Sequence, residues 1–382
     1  MAGNERRFPG KARPAPASRR AIKALRCAAV AAALASARPG AAAPQLDFYG
    51  VVDAGVAATR QSGQGGSVRL LDGGLADSLW GLAGAESLGA GWRAGFRLES
   101  GFDPSSGAAD DTRLFNYQAW VGLGRADLGE LRLGRQYTVG RDFASALEIA
   151  SWKDMGMGAT FKAADNYQFS NMLNYLTPVW GGWQAGAGYA FDAGDQGRYA
   201  TRDNDRALSA GLKYESGPLL AVATWERLRL ADAPAGVGRP QAAQFGVSYD
   251  IEWVRLSAAW TRQRNGYVGL DGGDPDGLGL GLGPAAFARG GRADAYLLGA
   301  SLPLGAGTVL IQGSIARPDW EWRGGMTARK AQVVTLGYTY DLSRRTTLYG
   351  FAGYARNYTL DNQFDPGGSR TARAGMGVSH RY

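Results

Sequence analysis

The stretch Trp92-Arg93-Ala94-Gly95-Phe96-Arg97-Leu98-Glu99 alternates, residue by residue, between apolar and polar or small side chains. In a strand successive side chains point to opposite faces, so Trp92, Ala94, Phe96 and Leu98 share one face while Arg93, Gly95, Arg97 and Glu99 share the other. The same period of two recurs along most of the chain. It predicts strands over 46–59, 78–87, 90–102, 112–123, 128–138, 167–177, 182–192, 206–214, 218–230, 239–250, 253–265, 291–301, 307–317, 328–341, 345–356 and 371–382. Sixteen strands over 44–382 leave about 21 residues for each strand and its connector, which suits spanning strands of about ten residues.

Connector length alternates as well. Short connectors carry turn residues, among them Leu88-Gly89, Gly181-Gly182, Ser216-Gly217-Pro218 and Leu304-Gly305-Ala306-Gly307. Between them fall long ones at 60–77, 103–111, 139–166, 193–205, 231–238, 266–290, 318–327 and 357–370. Short turns and both termini on one rim, with long loops on the other, describe an even-stranded, up-and-down closed sheet. A soluble sandwich would hide its apolar face between two sheets and would use fewer strands per domain. Here the strands run on without a linker, a second core or a helical period. Phe48, Tyr49, Trp180, Trp183, Trp253, Trp260, Tyr338, Tyr340 and Tyr382 gather towards strand ends, as the aromatic girdles of a membrane barrel do. Closure then has a physical reason, because an open sheet edge in hydrocarbon leaves unpaired N–H and C=O groups.

The pI of 9.6 invites a nucleic-acid reading, but the charge is local. Of 42 Lys/Arg and 34 Asp/Glu, nine and one fall in residues 1–43, so the body is balanced and no nucleic-acid partner is expected. The basic head precedes the apolar run Cys27–Ala37 and Ala41-Ala42-Ala43, the parts of a secretory signal. Residues 1–43 are therefore expected to be a signal peptide, cut after Ala37 or Ala43, with a long basic region that fits a start downstream of Met1. Residues 44–382 are expected to form the barrel domain. The one cysteine, Cys27, lies in the leader, so the exported body has neither disulfides nor thiolate chemistry.

Several stretches resemble the trimeric general porins of Gram-negative outer membranes, particularly the β-proteobacterial family. They are Leu46–Gly55, Phe96-Arg97-Leu98-Glu99-Ser100-Gly101-Phe102, Arg113–Leu123, Leu133-Gly134-Arg135-Gln136-Tyr137-Thr138 and the ending Gly377-Val378-Ser379-His380-Arg381-Tyr382, in order over nearly all of 45–382. The resemblance implies an all-β, 16-stranded antiparallel transmembrane β-barrel with an inward-folded third loop, assembled as a homotrimer, through which ions and small hydrophilic solutes diffuse passively. It also implies contact with outer-membrane lipid and lipopolysaccharide, and recognition by the barrel-assembly machinery. In the family a terminal aromatic serves as the assembly signal, a role that falls on Tyr382.

The connector 139–166 does not read as a solvated loop. It carries Phe143, Leu147, Ile149, Trp152, Met155, Met157 and Phe161, too much apolar surface to leave in water. The nearest cover is the inside of the wall, which agrees with the family's third loop, and its acids Asp142, Glu148 and Asp154 then face the lumen. Gly95, Gly122 and Gly134 either make room for this loop or mark bends of the wall. Opposite such acids the family sets wall arginines. Arg135 maps onto one of them, whereas Leu79 and Gln168 occupy two other positions. Arg93, Arg97 and Arg113 partly substitute, since alternation puts the first two on the polar face. The implied transverse field is weak and ion selectivity modest.

Enzyme chemistry lacks its parts. The one histidine, His380, has Ser379 on the opposite face of its strand, and no His/Cys cluster offers zinc ligands. Asp271–Gly277 fails as a calcium loop because Gly272 and Gly283 stand at the first and twelfth ligand positions. Gly277–Gly283 lacks the Lys-Ser/Thr of a phosphate loop. No cofactor or metal is expected. Two other readings remain at the level of sequence: a solute-specific porin, and a barrel used for surface adhesion through its long loops.

Overall fold

The computed structural model describes residues 45–152, 155–156, 168–232, 238–265, 287–289, 291–319, 321–322, 327, 329–359, 363–364 and 368–382. The expected signal segment 1–43, Asp154 and the 271–283 motifs lie outside the described residues.

Alternation becomes strands almost everywhere it occurs. In chain order they are β1 (Gln45–Gln61), β2 (Leu79–Gly89), β3 (Trp92–Gly101), β4 (Gln118–Arg125), β5 (Gly129–Tyr137), β6 (Gln168–Leu176), β7 (Trp183–Ala190) and β8 (Arg206–Ser216). There follow β9 (Leu219–Arg229), β10 (Gln241–Asp250), β11 (Arg255–Arg264), β12 (Arg292–Leu304), β13 (Gly307–Pro318), β14 (Ala331–Asp341), β15 (Thr346–Arg356) and β16 (Arg370–Arg381). These are sixteen of the seventeen strands of one sheet. Each pairs antiparallel with the next, and β1 pairs with β16 from Val51↔Arg381 to Gln61↔Thr371, closing the sheet into a barrel. Closure ties down the chain end: Gly50 and Tyr382 exchange both backbone hydrogen bonds, at 3.1 and 3.3 Å.

The two faces of the wall are inverted relative to a soluble protein. Val121, Leu298 and Met376 are 57, 68 and 70% exposed on the outside, while Thr224, Gln244, Ser257 and Thr335 are buried on the inside. That is the distribution a closed sheet needs in hydrocarbon, where the solvent is apolar and the polar groups must turn inward.

Four local expectations need correction. The 60–77 connector holds a seventeenth strand, Gly65–Asp72, which folds back on β1 from Gln61↔Gly65 to Ala54↔Asp72. Gly63 and Gly65, at φ +82° and +83°, make the reversal. The strand expected at 112–123 begins only at Gln118, because Asn116 turns its side-chain oxygen to the Gly101 amide at 2.8 Å and bends the chain. The first short turn is Ala90-Gly91, both at positive φ, two residues beyond the expected pair. Tyr49 is no girdle residue: it faces inward, with its hydroxyl 2.7 Å from Glu99 Oε1.

After β5, Thr138 caps helix α1 (Val139–Ala144) by accepting from the Arg141 amide, and a 3-10 turn succeeds it over Ser145–Leu147. The described residues of 139–152 and Met155 pack against glycines of β7 to β15. Val139 meets Gly186, Phe143 meets Gly211, Leu147 meets Gly246, Ile149 meets Gly299, Trp152 meets Gly337 and Met155 meets Gly353. A Cβ on any of these six glycines would stand under 3.0 Å from the side chain named. Hence the loop is seated in a glycine track cut across six strands. Gly95, Gly122 and Gly134 lie on β3 to β5, where, among the described residues, the atoms nearest their missing Cβ belong to the wall itself. Gly134 also marks a register shift between β5 and β6, at φ +136°.

The seat is strongly apolar and well tethered. Phe143, Leu147, Trp152 and Met155 are at most 3% exposed, and Trp152 stacks on Phe351 at 4.9 Å between ring centroids. Burying each such side chain is worth about 1.5–3 kcal/mol. Wall side chains supply the polar groups: the Gly140 amide donates to Ser209 Oγ at 3.0 Å, and Ser209 Oγ donates to Glu226 at 2.8 Å. The Ile149 amide donates to Gln312 Oε1 at 3.0 Å, and Arg255 Nη2 donates to the Ala146 carbonyl at 2.6 Å.

Candidate functional site

The wall facing that seat is built differently. On β3 to β5 the inward positions carry Arg93, Arg97, Glu99, Gln118, Trp120, Glu130 and Arg132, because Val121, Leu131 and Leu133 take the outward ones. Arg97 lies 5.7 Å from the centre of the Tyr49 ring and 3.6 Å from Glu99 Oε1. Glu99 also accepts from Gln118 Nε2, and Gln118 Oε1 accepts from Trp120 Nε1 at 2.9 Å. Arg132 lies over Trp120 at 4.7 Å and pairs with Glu130 at 2.6 Å. Each guanidinium is thus held over an aromatic ring with a carboxylate at its side. A cation over a ring contributes about 0.5–1 kcal/mol at an exposed site, enough to favour one orientation of a long side chain.

Helix α1 brings an acid to this wall. Asp142 Oδ2 is 3.9 Å from Arg132 Nη1, and Arg141, the preceding residue, lies over Tyr137 at 5.1 Å. At about 4 Å in water two unit charges attract by about 1 kcal/mol, so the pair orients charge without locking the helix down.

The residues singled out in the sequence do not all converge. Arg97 and Asp142 belong to this constellation. Arg93 is inward and exposed but sits near the short-turn rim, opposite Gly124 and Ser87. Glu148 lies in the loop segment with Oε1 against Gly156. Arg113 is in the connector before β4 and pairs with Asp111 at 2.8 Å. Partial burial pushes the Asp111 carboxyl up, but the hydrogen bonds from the Arg113 amide and guanidinium outweigh it and hold the group below the usual carboxylate range. Arg135 donates from Nε to the Asn116 carbonyl at 2.6 Å and from Nη1 to Ser170 Oγ at 3.2 Å, which keeps it on the side of the 103–117 connector, away from Asp142. Leu79 and Gln168 occupy the wall, Leu79 paired with Val51 and Gln168 with Tyr137.

Arg132, Trp120 and Glu130 escape the motif-based reading. The signal for them is nonetheless present: Leu131 and Leu133 face out, so the residue between them must face in. The Leu-Gly-Arg-Gln stretch points instead to Arg135, where the register shift at Gly134 interrupts the simple alternation.

Comparison with known proteins agrees with this architecture. The family model for Gram-negative porins matches residues 28–360. The chain is 35% identical over 327 residues to an outer membrane porin protein of Bordetella pertussis, covering 80% of this chain and 82% of that protein. It is 30% identical over 337 residues to outer membrane porin protein 32 of Delftia acidovorans, covering 85% and 88%. Among solved structures, an anion-selective porin from Comamonas acidovorans superposes with a TM-score of 0.67 at 25% identity, covering 89% of this chain and all of that one. With its closed barrel of sixteen strands, the chain belongs to the Gram-negative porin family and is a multi-pass β-barrel of the outer membrane.

Proposed function

We propose that this porin is a diffusion channel for ions and small hydrophilic solutes, narrowed between the 139–166 loop and the arginine-bearing wall of β3 to β5. The observation that carries the reading is the pairing of a loop seated on one inner wall with Arg97 and Arg132 fixed on the other, Asp142 reaching between them. Such a path orders water between fixed charges, so a solute must replace those hydrogen bonds to pass, and apolar solutes are disfavoured.

Selectivity is modest on this reading. Glu99 and Glu130 stand beside Arg97 and Arg132 and offset much of their field. Likeness to an anion-selective porin favours anions as the preferred sign. Only charges at the narrowing count, because screening over about 8 Å at physiological salt removes the rest. The working unit is a homotrimer, residues 1–43 are an export signal removed before assembly, and Tyr382 is read by the assembly machinery. Deleting Tyr382 should reduce outer-membrane insertion more than it alters the conductance of inserted protein; normal insertion would refute that role.

The test is reconstitution of purified protein in a planar bilayer under a salt gradient. Ohmic steps closing in threes, with a small anion-directed reversal potential, are expected. Negligible conductance would favour a surface-interaction role, and saturable block by one solute would favour a solute-specific channel.

A further inference from the structure

The far end of the seated loop rests on a second structure, built where the sheet closes. Gly73, at φ +89°, turns the chain at the end of the seventeenth strand, and residues 74–78 then lie against β1. Asp53 holds them there; it is fully buried, on the face opposite exposed Val52 and Val56. Its Oδ1 accepts from the Gly74 amide at 2.8 Å and from the Tyr349 hydroxyl at 2.7 Å. Its Oδ2 accepts from the Ala76 amide at 3.0 Å and from the Leu75 amide at 3.3 Å. The Asp53 amide donates to Ser78 Oγ at 2.9 Å, and Ser78 Oγ donates to the Asp53 carbonyl at 3.0 Å. Four donors converge on one carboxylate, so the group works only as an acceptor.

Tyr349 carries this anchorage across the closing seam. It stands on β15, and a Cβ at Gly377 of β16, at Gly55 of β1 or at Gly74 would lie under 3.0 Å from its hydroxyl. Three glycines therefore let one tyrosine side chain reach over two strands to Asp53. Tyr349 also meets the loop: its ring centre is 6.1 Å from that of Trp152, which stacks on Phe351. Leu71 and Leu75, on either side of the turn, pack in the same apolar cluster as Trp152, Met155, Tyr349 and Phe351. Trp152 Nε1 is buried with no hydrogen-bond partner among the described residues. Packing alone orients its ring, and that packing is only as fixed as the platform beneath it.

We propose that Asp53 is a positioning residue for the 139–166 loop: through Tyr349 and the 74–76 amides it fixes the platform on which the Trp152 end is seated. The effect on conductance rests on the reading of that loop as the narrowing, whereas the hold on the loop does not. An amide cannot replace the carboxylate, because either orientation of an asparagine turns its NH2 group towards at least one backbone N–H. The first long connector thereby acts on the channel from inside, at the end of the loop farthest from helix α1.

The experiment places a single thiol at Ala150, 1% exposed, or at Ala144, fully buried towards the other end of the segment. The rate of modification by a small methanethiosulfonate reagent is read on the folded protein in detergent. Asp53→Asn should raise the rate at Ala150→Cys about tenfold or more, and Tyr349→Phe, which keeps the ring and loses one bond, should raise it by less. Neither should change the rate at Ala144→Cys, which general loosening of the barrel would raise as well. Should Asp53→Asn fail to assemble, Tyr349→Phe decides alone. Single-channel steps of both variants should be larger and noisier than those of the parent. An unchanged rate at Ala150→Cys, or an equal rise at Ala144→Cys, would overturn the proposal. A raised rate at Ala150→Cys with steps of parental size would support the hold on the loop and contradict the narrowing instead.

Discussion

The two inner walls of this barrel use the same residue type for opposite purposes. On β7 to β15 six glycines form a track, and each is filled by a side chain of the 139–155 segment. On β3 and β4, Gly95 and Gly122 are also inward, yet the atoms nearest their missing Cβ belong to the wall itself, at 3.4 and 3.1 Å. Gly122 lets Trp120 and Arg132 lie close over the wall, each 3.3 Å from where its Cβ would stand, while Gly95 has only the Gly84 carbonyl in reach. A glycine in a barrel strand thus says that something passes close or that nothing does, and only the partner across the lumen decides which.

The contrast can be broken most severely at Trp152. Trp152→Ala removes a side chain 1% exposed that stacks on Phe351, a loss of about 3–5 kcal/mol at a core site. Single-channel recordings should show larger and noisier steps as the loop end leaves its seat. Steps of parental size would mean that the seat does not set the narrowing.

Gly337→Ala and Gly95→Ala sharpen the difference between the walls. A methyl at Gly337 collides with the Trp152 ring, so about 1–3 kcal/mol of destabilisation is expected in a denaturant titration. At Gly95 the nearest atom is 3.4 Å away, and the same substitution should stay within about 0.5 kcal/mol. Equal midpoint shifts would erase the distinction.

A smaller effect separates two arginines of the same strand, β5. Arg132→Gln should move the reversal potential towards cations by more than Arg135→Gln, since only Arg132 faces Asp142. A larger shift from Arg135→Gln would return the role to the residue the family resemblance selects. The smallest expected effect is that of Arg132→Gln in salt of about 1 M, where screening over about 3 Å should nearly abolish the shift.

Much of this is legible in the sequence because a barrel strand has a rigid code. Alternation over Trp92–Glu99 places Arg97 and Glu99 on one inward face, and alternation along the terminal strand turns Met376, Val378 and Tyr382 outward, in agreement with their exposure. The apolar content of 139–166 announces a segment that needs cover. The cover itself is not legible, since the six glycines are scattered over 186–353 and become a track only when the sheet closes. Arg135 illustrates the other limit: a register shift at Gly134 changes the facing of the residues after it, and nothing in a single sequence marks that shift.

The one cysteine of the chain is Cys27, so residues 44–382 contain none and a thiol introduced among them can be addressed alone. The direct test is Asp142→Cys in a planar bilayer, with a cationic methanethiosulfonate reagent added to open channels. Conductance should fall in discrete steps as each subunit reacts, while Val121→Cys on the outer face should give none. Unchanged conductance after confirmed modification of Asp142→Cys would contradict a narrowing between the 139–166 loop and the arginine wall.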